Sequence, residues 1–503
     1  MFNQAYWNEP LLKELSKSGR YGYAPRINSK ISSEFGDLDK IIPTKLRRSN
    51  LPLPTISQPQ IVRHFTRLSQ MNFSIDLGIY PLGSCTMKHN PKLNERLASD
   101  SRLKSLHPYQ PLSTSQGILK LLYDLSEILG KITGLPSVSL SPAAGAHGEF
   151  VGVLMIKSWI KEKNESDTRT EMLVPDSAHG TNPATASLAG FKVVKVPSDN
   201  NGLVDVDSVK SLSSNRTAGL MLTNPNTLGL FEKNIEEISN IVHEAGGLMY
   251  YDGANMNALL GKARPGDMGF DIAHLNLHKT FTTPHGGGGP GAGPVCVSSE
   301  LNDFLPSPIV VNNDGAYSMN YDIPKTIGRV KAFYGNLAIL FRAYSYICLM
   351  GSDGLNEVSS QAVLAANYLL SKLDSKYLSL NHIGTSRIMH EFVVSLSSIK
   401  SEKSRPALEI GKALLDYGVH SPTVYFPLTV DEGMMIEPTE TESKEDLDQY
   451  ADYLNLLFAV AATSPEELSS KPQNTSIGRL DEAKASRVST MKLNWSRSSI
   501  SLP

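Results

Sequence analysis

Two side chains that could carry covalent and electrostatic chemistry follow strand-like segments in the middle of the chain. Asp252 closes the apolar run LMYYD, and Lys279 comes directly after the run IAHLNL. A carboxylate at a buried strand end must be paired, because burying an unpaired charge is costly, and a protonated ring nitrogen is one suitable partner. A desolvated lysine loses its proton more easily, which a Schiff-base nucleophile requires. The alternatives are a helix cap at Asp252 and a solvated loop lysine at position 279.

Three earlier segments contain groups that could bind a ligand. The run SPAAGAHGE, from Ser141 to Glu149, opens a helix with small residues, so its backbone N–H groups could approach an anion. The alternative is a helix start that needs small residues for close packing and binds no ligand. His179 in PDSAHGTNP could lie flat against an aromatic ligand or be a hydrogen-bonded loop histidine. Asn224 in TNP could donate to a phenolic oxygen or cap the turn.

The elements that must position these groups alternate between helix and strand. Helical spacing of apolar residues predicts helices over 117–130, 149–163 and 235–245. Short apolar runs predict buried strands over 171–175, 192–196, 219–223, 248–252, 272–277 and 293–298. Such alternation is typical of an α/β domain with a largely parallel sheet, which binds ligands at the carboxyl ends of its strands.

The flanking regions differ in character, and together they predict four parts. Residues 1–60 are interrupted by prolines and are predicted to form an N-terminal arm; residues 61–325 form the large domain. Residues 326–462, helical over 325–372 and then strand-containing, are predicted to form a smaller α+β domain. Residues 463–503 form a C-terminal tail that we expect to be partly ordered, because it contains Trp495.

Composition excludes several classes of protein. Of 503 residues, 40% are hydrophobic and 19% are charged, with a net charge of −2, so the chain can fold and has no field that would attract nucleic acid or a membrane. The three cysteines are too far apart for a disulfide framework or a zinc pattern. No export signal is visible, and the apolar stretch 337–350 is too short to span a bilayer. We therefore expect a cytoplasmic protein.

The order of these groups resembles that of fold type I pyridoxal-phosphate enzymes. More closely, the strings YPLGSCTMKHNP (80–91), DSAHGTNPATA (176–186), YDGANMNALLG (251–261) and HLNLHKTFTTPHGGGGPGAGPV (274–295) resemble the glycine decarboxylase P proteins of the glycine cleavage system. The chain is similar to the second subunit of the two-subunit form. The resemblance runs from about residue 60 to 495 and includes GRLDEAKASR at 478–487.

This resemblance implies an aminotransferase-like large domain, a smaller α+β C-terminal domain and bound pyridoxal 5'-phosphate, with no metal. Lys279 would hold the cofactor as an internal aldimine, Asp252 would pair with the pyridine nitrogen, and His179 would stack on the ring. These three are the implied catalytic residues. The other implied cofactor contacts are the phosphate-binding backbone of Ala144, Gly145 and Ala146, the ring-hydroxyl contact Asn224, and the further candidates Ala254 and His278.

The resemblance also implies an activity and partners. The chain would be a glycine dehydrogenase (aminomethyl-transferring): it would decarboxylate glycine, release carbon dioxide and pass the aminomethyl group to the lipoyl arm of the H protein. Single-chain members are about twice as long, so a subunit 1 is expected, in an α2β2 heterotetramer. The alternatives are another fold type I enzyme, such as an aminotransferase or desulfurase, and a non-catalytic scaffold subunit. The roles of Cys85, His147 and Glu149 stay open.

Overall fold

The chain divides into two compact units in a computed structural model that describes residues 2–23, 28–36, 41–48, 53–286, 291–380, 387–401 and 404–487. The first unit comprises residues 1–74, 415–418 and 470–503, and the second comprises 75–414 and 419–469. The expected order around Trp495 falls outside the described residues, as do glycines 287–289 of the segment that follows Lys279. The four predicted domain boundaries stay a prediction.

The first unit contains short helices and irregular chain. Its helices are α1 (Leu12–Leu15), α2 (Ser29–Phe35), α3 (Gln58–Gln70) and, near its end, α14 (Glu482–Ala485), with 3₁₀ turns at Thr44–Leu46 and Leu415–Tyr417. Glu9 is buried and receives hydrogen bonds from His64 and Arg67 on α3. The Arg67 guanidinium lowers the pKa of Glu9 to about 2, so this carboxylate ties the N-terminal segment to α3.

A seven-stranded sheet organises the second unit. Its strands are β1 (Ser137–Ser139), β2 (Glu171–Pro175), β3 (Lys192–Val196), β4 (Thr217–Leu222), β5 (Leu248–Gly253), β6 (Ile272–Leu275) and β7 (Val295–Val297). Their spatial order is β1-β7-β6-β5-β4-β2-β3. Strands β2 to β6 are mutually parallel, and β7 runs antiparallel to both of its neighbours. The predicted mainly parallel sheet is confirmed.

The strand sequences suit these positions. Every residue of β2, β4 and β5 is buried, as expected for strands covered by helices on both faces. Strand β3 lies at the sheet edge and exposes its lysines. The neighbours Tyr250 and Tyr251 enter hydrophobic clusters on opposite faces of the sheet, since successive strand residues alternate in direction.

Helices cover both faces. They are α4 (Lys92–Ala98), α5 (Ser101–Lys104), α6 (Leu112–Thr133), α7 (Gly145–Glu162), α8 (Thr181–Leu188), α9 (Val206–Leu212) and α10 (Ile235–Glu244), with 3₁₀ turns at Pro265–Met268 and Ser299–Phe304. Helix α6 packs in the hydrophobic cluster that contains Tyr251, and α7 packs in the cluster that contains Tyr250. At Gly152 of α7, a Cβ atom would lie 2.6 Å from Tyr250 Cε2, so the close approach of this helix to β5 requires glycine.

A smaller antiparallel sheet follows. Its strands β10 (Phe392–Ser395), β12 (Gly433–Ile436) and β11 (Thr423–Val424) lie side by side in that order. The remaining elements are β8 (Ile309–Asn313), β9 (Ala316–Asn320), α11 (Leu337–Lys372), α12 (Pro406–Leu414) and α13 (Lys444–Thr463), with 3₁₀ turns at Ser375–Tyr377, Ser397–Ile399 and Pro465–Glu467. Within the described ranges, no helix is long and apolar enough to cross a membrane.

The prediction of helix from residue 325 is wrong for its first part. Helix α11 begins only at Leu337, and it bends at Gly351, where φ is +63°. Gly328 and Gly335 both have positive φ, at 89° and 60°, and this left-handed conformation interrupts helical backbone. The hairpin formed by β8 and β9 was not predicted.

A substitution at Gly148 tests the packing at the start of α7. An added Cβ would lie 2.4 Å from the carbonyl oxygen of Gly293, and this backbone atom cannot move cheaply. We expect Gly148→Ala to lower the free energy of unfolding by about 1–3 kcal/mol, measured as a lower thermal midpoint. Gly117→Ala on α6 is the matched control, because nothing lies within 4 Å of its Cβ position. Equal stability of the two variants would contradict the packing described.

Candidate active site

A cavity lies at the carboxyl edge of the large sheet, where the segments singled out in the sequence meet. His179 follows β2, Asp252 ends β5, Lys279 follows β6, and Ala146 lies in the first turn of α7. The other lining residues are Ser84, Glu149, Thr181, Thr223, Pro225, Thr227, Ala254, Asn255, His274, Asn276, His390 and Glu391. Parallel strands bring their carboxyl ends to one edge, so residues more than a hundred positions apart become neighbours.

Asp252 is 3% exposed and is held by polar groups of the protein itself. Its Oδ1 accepts a hydrogen bond of 3.1 Å from the Ala254 N–H and lies 3.5 Å from Nε2 of His274, its register partner on β6. With its amide nitrogen turned toward the carboxylate, Asn182 donates to Oδ2 at 3.0 Å. Tyr250 fixes His274 in turn through a 2.7 Å hydrogen bond to Nδ1. The carboxylate therefore has a fixed orientation at the cavity wall.

Lys279 is half-buried and lies on the turn that leaves β6. Its N–H donates to the carbonyl oxygen of Asn276, and its own carbonyl accepts from the Thr282 N–H. The next residue, Thr280, is buried and accepts a 2.8 Å hydrogen bond from the Met256 N–H. These bonds tie the lysine turn to the segment after Asp252, so the two charged side chains are positioned by adjacent, cross-linked strand ends.

The start of α7, from Ala144 to Ala146, forms a cup whose backbone geometry suits an anion. Ala144, the residue before the helix, has extended backbone and makes no side-chain cap, so the first-turn N–H groups are available at an end that carries the positive pole of the helix dipole. A Cβ on Gly145 would lie 1.6 Å from Asn276 Oδ1, so a larger residue there would displace the Asn276 side chain. Ala146 faces the cavity. His147 accepts from the Ala143 N–H at 3.0 Å and so shapes the helix entry.

His179 presents its ring to the same cavity. Its Nδ1 lies 3.0 Å from Thr181 Oγ1 and accepts from the Thr181 N–H at 3.2 Å. Burial lowers the pKa of His179, which favours a neutral ring at pH 7. A neutral, oriented imidazole at this position suits contact with the face of an aromatic ligand.

Several predicted site residues do not line the cavity with their side chains. Asn224 is fully buried; its Oδ1 accepts from the Glu232 N–H at 2.8 Å, and the neighbouring residues Thr223 and Pro225 reach the cavity instead. His278 lies with its ring 4.7 Å from that of His285, and burial lowers its pKa to about 3. The assigned roles of Asn224 and His278 stay predictions.

The cavity also contains acidic residues whose roles the sequence did not indicate. Glu149 is 2% exposed, and burial, with a contribution from Asp252, raises its pKa to about 8. His390 and Glu391 come from the segment just before β10, on the small sheet. The signal used for Asp252 was a carboxylate that closes an apolar strand, whereas Glu391 precedes its strand in EFVVS, so that signal did not point to it.

Two buried glutamates and the partly buried Glu440 hold the segment YPLGSCTMKHNP beside this cavity. Glu391 accepts from the Ser84 N–H at 2.7 Å, Glu437 accepts from the Thr86 N–H at 3.0 Å, and Glu440 pairs with Lys88 Nζ at 2.6 Å. Ser84 and Thr86 both have positive φ, at 67° and 47°, a conformation that non-glycine residues adopt at a cost. Cys85 between them is half-buried, and burial raises its pKa.

The residues present fit pyridoxal phosphate. The α7 cup suits a phosphate, Asp252 suits a protonated ring nitrogen, and Lys279 is an amine at the same sheet edge. Five buried polar atoms of the lining have no partner within the described part of the chain, as expected for a site built around a polar ligand: Glu149 Oε1, Thr223 Oγ1, Asn276 Oδ1 and both ring nitrogens of His390. The fold and this site define a fold type I pyridoxal-phosphate enzyme.

Comparison with known proteins gives the family. Residues 154–309 match the aminotransferase class-V family, and residues 358–474 match the C-terminal domain of glycine dehydrogenase. The probable glycine dehydrogenase (decarboxylating) subunit 2 of Pyrococcus abyssi is 54% identical over 491 residues, covering 97% of this chain and 96% of the relative. That of Thermoplasma volcanium is 52% identical over 494 residues, covering 98% and 100%. The chain belongs to the family of glycine dehydrogenase (decarboxylating) subunit 2, and its cofactor is pyridoxal phosphate.

Solved structures agree on the fold. A glycine decarboxylase P protein of the glycine cleavage system, in inhibitor-bound form, superposes with a TM-score of 0.70 at 21% identity, over 86% of this chain and 99% of that one. Lactobacillus brevis glutamate decarboxylase gives a TM-score of 0.64 at 15% identity, over 86% and 97%. The relatives are named as subunit 2, which implies that a partner subunit exists.

Proposed function

We propose that the chain decarboxylates glycine in the cavity between Asp252 and Lys279. The observation that supports this most is the meeting of three groups at one sheet edge: the α7 cup, the buried Asp252 carboxylate and the Lys279 amine. Pyridoxal phosphate, when bound, supplies a ring that accepts the electron pair left behind when carbon dioxide departs. The chain's own residues would bind that ring, orient it and keep its nitrogen protonated.

Each of these residues has a distinct part in the proposal. Lys279 would hold the cofactor through its amine. Asp252 would keep a proton on the ring nitrogen, because a fixed carboxylate stabilises the protonated form. His179 would contact the ring face as a neutral imidazole. Backbone N–H groups of Ala144, Gly145 and Ala146 would bind the phosphate, and Ala254, which lines the cavity, is a further contact.

The fate of the remaining aminomethyl group involves partners. We propose that it passes to the lipoyl arm of the H protein, and that this chain assembles with subunit 1 as an α2β2 heterotetramer. Ser84 belongs to the segment YPLGSCTMKHNP and lines the cavity, which favours this segment as one side of the path for the lipoyl arm. A cytoplasmic location stays part of the proposal; Cys85, Cys296 and Cys348 are free thiols, which is consistent with it.

A carrier-dependence experiment tests the reaction. Glycine labelled in its carboxyl carbon should release labelled carbon dioxide only when cofactor, partner subunit and lipoylated carrier are all present. An unlipoylated carrier is the matched control, since it keeps the protein surface and lacks the disulfide. Equal turnover of a keto acid acceptor without the carrier would reject glycine decarboxylation in favour of an aminotransferase.

The electronic role of Asp252 gives a second prediction. Asp252→Asn should keep cofactor absorbance, because the cup and Lys279 are unchanged, but should reduce labelled carbon dioxide release by at least about 100-fold. That loss corresponds to about 2.7 kcal/mol of transition-state stabilisation. Asp271→Asn is the control, because this aspartate does not line the cavity and pairs with His243. Wild-type turnover in Asp252→Asn would contradict the assigned role.

A further inference from the structure

Two glutamates of the small sheet meet beside the Lys279 cavity. Phe392 of β10 pairs with Ile436 of β12, so the residues just outside this pair, Glu391 and Glu437, face each other across the two strands. Oxygens of the two carboxyl groups and a ring nitrogen of His390 lie within 4.8 Å of one another. All three residues are at most 5% exposed. Of these three residues, His390 and Glu391 line the cavity and Glu437 does not.

In the described part of the chain, neither carboxyl group forms a direct ion pair with a lysine or arginine. Glu391 Oε2 accepts from the Ser84 N–H, and Glu437 accepts from Thr86 and from the amide of Asn255. Across the described ranges, no lysine or arginine nitrogen lies within 4 Å of either carboxyl group. Two close, buried carboxyl groups cannot both ionise readily, so such a pair retains one proton.

The remaining titratable surroundings agree with a retained proton. The groups that face Glu391 are Glu437, His390, Lys279 and Cys85. Burial, followed by the charge of Glu437, raises the pKa of Glu391, and burial raises the pKa of Glu437; the Ser84 N–H and Lys279 oppose this for Glu391, but the net shift of both glutamates is upward. Because Ser84 already occupies Oε2 of Glu391, the proton belongs on Oε1, which lies 4.0 Å from His390 Nε2.

His390 supplies an independent sign of a ligand. It is 3% exposed, lines the cavity, and neither of its ring nitrogens has a hydrogen-bond partner in the part of the chain that the structure describes. Burial lowers its pKa to about 3, so the ring is neutral and carries one N–H donor. A buried donor left without a partner costs about 1–3 kcal/mol, which a bound acceptor would recover.

The substrate brings such an acceptor. Among the described residues that line the cavity, none is an arginine, although glycine carries a carboxylate. We propose that His390 and Glu391 receive the substrate carboxylate as two neutral hydrogen-bond donors, with Glu437 holding the proton on Glu391. This assignment rests on the proposed function.

Neutral donors suit a decarboxylase for an energetic reason. The carboxylate loses its charge as carbon dioxide leaves, so an arginine ion pair would stabilise the ground state and would be given up in the transition state. Neutral hydrogen bonds orient the group and impose a smaller penalty on its departure. The same reasoning makes Glu391 a catalytic residue that contacts substrate, whereas Glu437 is a positioning residue.

The test is the affinity of the holoenzyme, assembled with its partner subunit, for glycine. The dissociation constant is measured from the change in cofactor absorbance between about pH 6.5 and about 9.5. Glu391→Ala should weaken binding at least tenfold at neutral pH, about 1.4 kcal/mol. Glu391→Gln keeps a neutral N–H donor, so binding at neutral pH should stay within about threefold.

The pH dependence separates the pair from a merely structural contact. Once Glu391 loses its proton, wild-type affinity relative to Glu391→Gln should fall about tenfold for each further pH unit, since the amide cannot ionise. Glu442→Gln is the matched control, because burial raises the pKa of Glu442 to about 7 but this residue does not line the cavity. It should keep the wild-type profile.

Three results would overturn the proposal. They are wild-type affinity in Glu391→Ala, a wild-type pH profile in Glu391→Gln, and glycine binding that is lost with a chelator and restored by a divalent cation, which would assign the cluster to a metal ion. Native cofactor absorbance and thermal midpoint in each variant exclude misfolding. Failure of the unaltered holoenzyme to bind cofactor or decarboxylate glycine would instead reject the proposed function.

Discussion

The site depends on a carboxylate that the fold buries at the end of a central strand. Removing a carboxylate from water costs several kcal/mol unless polar groups replace the lost hydration. Asp252 receives the Ala254 N–H, the Asn182 amide and the nearby ring of His274. Each comes from a different element, the turn after β5, helix α8 and strand β6, so the three must assemble before the carboxylate can be accommodated. The parallel sheet provides that assembly at one edge.

The charge balance of the cavity follows from this constraint. Asp252, Glu149 and Glu391 all face one small space, and Lys279 is the lysine among its described lining residues. Burial raises the pKa values of Glu149 and Glu391, so these two groups favour their neutral forms while the strand-end aspartate is the one with dedicated donors. Two kinds of carboxyl group thus lie within one site: one held to interact with a positive ring, others suited to donate a proton or a hydrogen bond.

The sequence was sufficient for six of the seven strands of the large sheet because their signals are local, whereas β1 was not predicted. The runs EMLVP and KVVKV match β2 and β3 residue for residue, GLMLT and LMYYD overlap most of β4 and β5, and IAHLNL and GPVCVS contain β6 and β7. Lys279, Asp252, His179, Ala146 and Ala254 meet at one cavity because strand ends share an edge. The antiparallel direction of β7 and the start of α11 were not readable, since they depend on tertiary pairing and on left-handed glycines.

The part of the site that the sequence did not indicate comes from the small sheet. Glu391 lies more than a hundred residues beyond Lys279, and its neighbours depend on the register between β10 and β12. Likewise, the segment YPLGSCTMKHNP was recognisable as a motif, but its anchoring by Glu391, Glu437 and Glu440 is a property of folded packing. Nothing in local spacing relates residue 84 to residue 391.

The most direct test of the central claim is to trap the cofactor on its lysine. The holoenzyme is reduced with borohydride, digested, and its peptides are mapped by mass. A pyridoxyl adduct should appear on the peptide that contains Lys279, and it should be absent from a Lys279→Ala variant that keeps the native thermal midpoint. An adduct on another lysine, or none at all in protein with native cofactor absorbance, would contradict the account.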